Sequence, residues 1–146
     1  MARLEPFVGA WLLEAPAFPL PPELADQARA VFEWTLDGAF LLEQSRVPAP
    51  EAPDGLMVVA PSDGDGYLQH YFDSRGVVRL YAMTFDGREW TLQRSEADFS
   101  PLDFHQRWQA TFSDDGENIE GRWETSPDGS TWELDFELFY RRLSRG

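Results

Sequence analysis

His70, Arg79 and Arg94 are the side chains whose types and spacing could act together on a small molecule. If Phe72 pairs with Val77 across the turn of residues 73–76, His70 lies opposite Arg79. If Phe85 pairs with Arg88 across Asp86-Gly87, Arg79 in turn lies opposite Arg94. The three then form one row over three strands, on a face shared with Leu68, Phe72, Tyr81, Met83, Trp90 and Leu92, which makes it the inner face. Two guanidinium groups facing one another away from water repel and lose hydration unless an anion sits between them. The expected chemistry is the clamping of a carboxylate, sulfate or phosphate. The alternatives are a register different by one residue, or neutralisation by a wall carboxylate such as Glu43. An imidazole beside two cations also suits general acid or base work with stabilisation of developing negative charge. No nucleophile, metal cluster or second buried acid accompanies it, so no residue is assigned as catalytic or as a metal ligand.

The elements that must position this row are legible from turns. Seven Asp-Gly dipeptides punctuate the chain, at residues 37–38, 54–55, 63–64, 65–66, 86–87, 115–116 and 128–129, most of them between runs of alternating apolar and polar residues. Asp-Gly accepts the positive φ of tight hairpins, so each marks an antiparallel turn and fixes which side chains share a face. The pattern predicts ten strands, over residues 8–14, 30–36, 39–47, 56–61, 67–72, 77–85, 88–95, 104–113, 118–125 and 130–143. Helix is scarce, with one candidate over residues 23–29 after Pro21 and Pro22. The expected fold is all-β: a closed antiparallel up-and-down barrel with at most one or two short helices, since closure alone removes exposed strand edges.

Around Asp128-Gly129 the pattern pairs Thr125 with Trp132, Trp123 with Leu134, Gly121 with Phe136 and Ile119 with Leu138. Around Asp115-Gly116 it pairs Phe112 with Ile119 and Trp108 with Trp123, while Glu120, Arg122, Glu124, Glu133, Asp135 and Glu137 point outward. The long connections 15–29, 48–55 and 96–103 all fall at one end of such a meander, which makes that end the expected mouth.

The 146 residues fit one domain, 1–146, and the absence of cysteine excludes disulfides and thiolate chemistry. A net charge of -14 argues against nucleic acid and anionic membrane surfaces as partners. The short apolar run 8–13, closed by Pro16 and flanked by Glu5 and Glu14, is neither a signal peptide nor a span, so the cytoplasm is the expected compartment. Self-association as a homodimer stays open.

Gly9-Ala10-Trp11 on the first strand, Arg141-Arg142 on the last, and about ten meandering strands resemble the calycin superfamily of lipocalins, fatty-acid-binding proteins and nitrobindin-like barrels. The stretch 124–141 is also similar to small bacterial domains of unknown function in that superfamily. The resemblance implies that Trp11 packs under Arg141 or Arg142 at the closed end. The nitrobindin-type glycine pattern is broken here as G-A-W-L-L-E-A, and no histidine follows His105, so haem is not expected and no cofactor is assigned.

Other motifs read more simply. His105 alternates onto the outer face with Arg107, and Asp63-Gly64-Asp65-Gly66 is a turn lacking the later ligands of a calcium loop. Residues 21–29 read as a lid over the mouth or as a plain crossover. The expected function is binding of a small hydrophobic, amphipathic or anionic ligand at the mouth. Trp34, Tyr81, Trp90, Trp108 and Trp132 supply walls, and His70, Arg79, Arg94 and Gln106 orient a polar head. An enzyme using His70, or a barrel filled by its tryptophans, are the competing readings.

Overall fold

The computed structural model describes residues 1–50 and 52–146. Its ten strands are β1 (Gly9–Glu14), β2 (Arg29–Thr35), β3 (Phe40–Arg46), β4 (Gly55–Pro61), β5 (Tyr67–Asp73), β6 (Val78–Phe85), β7 (Glu89–Arg94), β8 (His105–Phe112), β9 (Asn118–Ser126) and β10 (Glu133–Ser144). Each strand pairs antiparallel with its neighbours in sequence, and β1 pairs with β10 to close the barrel. Among the described residues there is no α-helix, only 3-10 turns at Ala2–Phe7 and Ala25–Gln27. The helix expected over residues 23–29 is thus reduced to one short turn inside the long β1–β2 connection. No helix among the described residues is long and apolar enough to cross a membrane.

Strand alternation sorts the side chains. Trp11, Phe32, Leu41, Val59, Tyr81, Met83, Trp90, Leu92, Trp108, Phe112 and Ile119 point inward and are buried, whereas the outward positions of β8 to β10 are mostly charged or amide-bearing. The end bearing the β2–β3, β6–β7 and β8–β9 turns is sealed by the N-terminal 3-10 turn. Its Phe7 ring meets Phe32, Phe85, Trp90 and Phe112 at centroid distances of 5.4, 4.9, 4.9 and 5.0 Å, mostly edge-on. The Trp11 indole N–H donates to the Phe7 carbonyl at 2.9 Å, which holds the plug to the first strand. Arg142 buckles the same end. Its guanidinium lies 4.1 Å from the Trp11 ring centroid and donates to the Pro6, Val8 and Gly116 carbonyls, while Arg141 points outward to Glu14. Gly121 lets the Trp108 ring cross β9, since a Cβ there would lie 2.3 Å from its Cη2.

The β8–β9 register is the one expected, with Phe112 opposite Ile119 and Trp108 opposite Trp123. Three other hairpins differ. At β6–β7, Phe85 pairs with Trp90 and Met83 with Leu92, because Asp86 accepts the Arg88 and Glu89 N–H groups and holds a wider loop. A slip of two leaves every face unchanged. At β9–β10, Trp123 pairs with Phe136, Gly121 with Leu138 and Ile119 with Tyr140, after a bulge between Leu134 and Phe136. At β5–β6 the slip is odd. Phe72 pairs with Val78 and His70 with Leu80, because the Asp73 carboxylate accepts the Arg75 and Val77 N–H groups and adds a residue to the turn. An odd slip reverses the face of β5, so Tyr67, Gln69 and Tyr71 point inward while Leu68, His70 and Phe72 point outward.

Candidate functional site

The lumen changes character along the barrel axis. Beyond the aromatic plug, a middle zone carries polar atoms with no partner. Glu43, on β3 between Phe32 of β2 and Met57 of β4, is 1% exposed, and neither carboxylate oxygen has a hydrogen-bond partner. Burial alone pushes this carboxyl up to about 8, so at neutral pH it is held protonated. The indole N–H groups of Trp90 and Trp108 are likewise buried without a partner. Trp90 and Trp108 meet edge to face with ring centroids 5.4 Å apart, and Tyr140 lies 5.9 and 6.3 Å from the two rings. Gln69, also buried, donates to the Met57 sulfur at 2.8 Å.

The end opposite the plug is polar, and most of its lumen-facing side chains are paired. Arg94 is buried, but Asp98 of the following loop takes its Nε at 2.8 Å and its Nη2 at 3.0 Å, and Pro101 accepts from the same Nη2. This pairing holds the Asp98 carboxyl far below its ordinary range, helped by the Leu80 and Ser100 N–H groups. On the neighbouring turn, burial pushes the Asp73 carboxyl up. The Arg75 guanidinium, the Tyr71 hydroxyl and the backbone N–H groups outweigh it and bring it to about 2. Arg79 shares the inward face of β6 with Tyr81 and Met83. Its Nη1 donates to Gln106 Oε1 at 3.2 Å and its guanidinium lies 5.8 Å from the Phe104 ring centroid, with no carboxylate of the described residues in salt-bridge range. The Tyr81 hydroxyl donates to the same Gln106 oxygen at 3.2 Å, and its ring lies against Tyr71 and Trp123.

The structure therefore brings Arg79, Tyr81 and Gln106 together and places Arg94 nearby on the same inner face. It separates the others. His70 is on the outer wall, on account of the odd β5–β6 slip, so the expected His70–Arg79–Arg94 row does not form. Trp132 is not a lumen wall, because β10 starts after it and its ring lies under Arg107, 4.2 Å away on the outside. Trp34 faces inward but at the sealed end, where its indole donates to Glu5 at 2.7 Å beside a concavity of about 310 Å³. A second open concavity, of about 500 Å³, lies on the outer wall between Glu89, Gln109 and Glu137. Neither opens into the lumen. His105 lies on the outer face as expected but is half-buried beneath Gly129, its Nδ1 buried without a partner, where the alternation points to an exposed side chain.

Sequence reasoning missed Asp98 because its pairing with Arg94 runs through a loop that alternation does not describe. It missed the Asp73–Tyr71–Arg75 cluster because the Asp73 turn was read as one residue shorter. An Arg followed by Asp four residues later, across a strand end, was the one local signal for the first pair. Compared with known proteins, the chain matches no family model and no curated sequence. Its closed ten-strand barrel is compatible with a calycin-like fold.

Proposed function

We propose that this barrel binds a small amphipathic molecule by its anionic head at the open end, with Arg79 as the charged contact and Tyr81 and Gln106 beside it. The observation that carries this reading is the difference between the two inward arginines. Arg94 is neutralised by Asp98 with two hydrogen bonds, whereas Arg79 has a single neutral acceptor and donors left over. A cation set among tyrosine, tryptophan and amide groups favours a carboxylate or phosphate that can take those donors in parallel. The apolar portion of such a ligand would lie along Tyr71, Trp123 and Phe104, whose rings flank the same end. The calycin resemblance points the same way.

Calorimetric titration with dodecanoate, phosphate and dodecanol tests this reading. The expected result is binding of dodecanoate, weaker or no binding of the alcohol, and a drop of at least about tenfold in affinity for Arg79→Met, the loss of one charge-assisted contact. Dodecanoate binding that survives Arg79→Met unchanged would sink it. The filled-barrel reading is favoured by the plug of Phe7, Phe32, Phe85, Trp90 and Phe112, which occupies the sealed half, and it stands if neither dodecanoate nor phosphate binds.

A further inference from the structure

The outer wall is not uniform. Across β8, β9 and β10 it carries Arg107, Gln109, Glu120, Arg122, Glu124 and Glu137, as expected of a solvated face in a chain of net charge -14. Across β3 to β6 the charges thin out: Arg46, exposed at the end of β3, is the one outward arginine, and no carboxylate stands outward on these four strands. The outward row Leu42–Val58–His70–Leu80 runs unbroken over the four strands, and the row beside it reads Gln44–Leu56–Phe72–Val78. A third row adds Ala60, Leu68 and Ala82. No acid or base other than His70 stands in the three rows, and Leu56 and Phe72 are each 37% exposed. The imidazole, central in its row, makes no hydrogen bond with any described residue and has only Val58 and Leu80 opposite it.

We propose that this face is the interface of a twofold homodimer, formed by packing the β3–β6 walls of two copies against each other. Size supports it. Four strands about 4.8 Å apart, each with three outward positions, give a flat footprint on the order of 400 Å². Side-chain relief adds to this, which places the pair at the low end of specific interfaces, the range of a weak, concentration-dependent dimer. Charge selects the partner. Two copies of net charge -14 repel through every face that carries carboxylates, and the β3–β6 wall is where they can approach without burying one. A charged partner would find nothing there to pair with. Leucine, valine and phenylalanine rows around one central imidazole are self-complementary under a twofold axis, where a residue at the centre meets its own copy.

Because the chain has no cysteine, the geometry can be read by a single introduced thiol without background. Sedimentation equilibrium of the wild type at roughly 100 µM should give twice the 16.7 kDa chain mass. Val58→Lys and Leu80→Lys should each raise the dimer dissociation constant by at least about a hundredfold, since two charges would be buried across the axis, with the far-UV spectrum unchanged. With a short bis-maleimide cross-linker, which spans the ~10 Å between packed sheets, His70→Cys should give a covalent dimer, and Gln109→Cys on the charged wall should not. A monomeric wild type at that concentration, a dimer that survives both lysine variants, or cross-linking of Gln109→Cys as efficient as that of His70→Cys would overturn the proposal.

Discussion

Replacing Glu43 with leucine should stabilise the barrel, and by an amount that grows with pH. In the folded chain its carboxyl titrates near 8 because burial disfavours the anion, against 4.5 when solvated. Between those values the native state holds a proton that the unfolded chain has released, so stability falls as pH rises. The sign follows from this: the group's contribution is most favourable below the unfolded value and is lost as pH climbs through the folded one. At about 1.4 kcal/mol per pH unit, the loss reaches roughly 3 kcal/mol at pH 7 and levels off near 5 kcal/mol above pH 8. Urea unfolding followed by tryptophan fluorescence at pH 5.5 and 7.5 isolates the effect as a difference between wild type and Glu43→Leu. That difference should widen by about 2–3 kcal/mol, on the order of 1 M in urea midpoint for a chain of this size. The depressed carboxyls of Asp73, Asp98 and Glu124 titrate below this window and cancel in the comparison. Glu43→Gln should lose the pH dependence as well, yet stay less stable than Glu43→Leu, since an amide in the same place is still a buried polar group without a partner. A difference that is constant from pH 5.5 to 7.5 would mean that the carboxyl is paired or hydrated in the native state, and the reasoning would fail.

Gly121→Ala should destabilise by about 1–3 kcal/mol in thermal unfolding, because its methyl group would meet Trp108 Cζ2 at 2.4 Å and Ala110 Cβ at 2.9 Å, both buried. Arg142→Met should cost about 2–4 kcal/mol in urea unfolding, leaving three carbonyls and the Trp11 face without their cation, whereas Arg141→Met, an exposed partner of Glu14, should change stability by less than ~0.5 kcal/mol. Equal effects of the two would remove Arg142 from its role as the closure of the first strand on the last.

The barrel was legible because its evidence is redundant. Alternation, seven Asp-Gly turns and aromatic spacing all specify strands, and a wrong loop length of two residues, as at Asp86-Gly87, leaves the inner and outer sets intact. The site was legible only in part, because it depended on parity at a single turn. Asp73 hydrogen-bonds to backbone N–H groups at 75 and 77, and that side-chain choice adds one residue and turns His70 out of the lumen. No period-two pattern contains that information, since β5 reads Leu68, His70 and Phe72 on one face and Tyr67, Gln69 and Tyr71 on the other, both plausible as interiors. The plug at Ala2–Phe7 was hidden for a different reason: an isolated Phe7 in a six-residue 3-10 turn carries no periodicity, and only the closed barrel gives it a place to go.

The same alternation that obscured the site makes its two surfaces separable. On β4, Met57 and Val59 face the lumen while Leu56 and Val58 face out, and on β6 Arg79 and Tyr81 alternate with Val78 and Leu80. A lysine at Val58 or Leu80 therefore alters the outer rows without adding an atom to the lumen, and a methionine at Arg79 alters the lumen without touching the outer face. Any guest must also enter opposite the plug, because withdrawing Phe7 would expose a fully buried ring worth about 2–3 kcal/mol along with its four aromatic contacts, whereas the open end is rimmed by loops 95–104 and 15–28. The proposed ligand site and the proposed dimer face would consequently lie on opposite faces of the same strands, so if both proposals hold, loss of one affinity with retention of the other is the expected result.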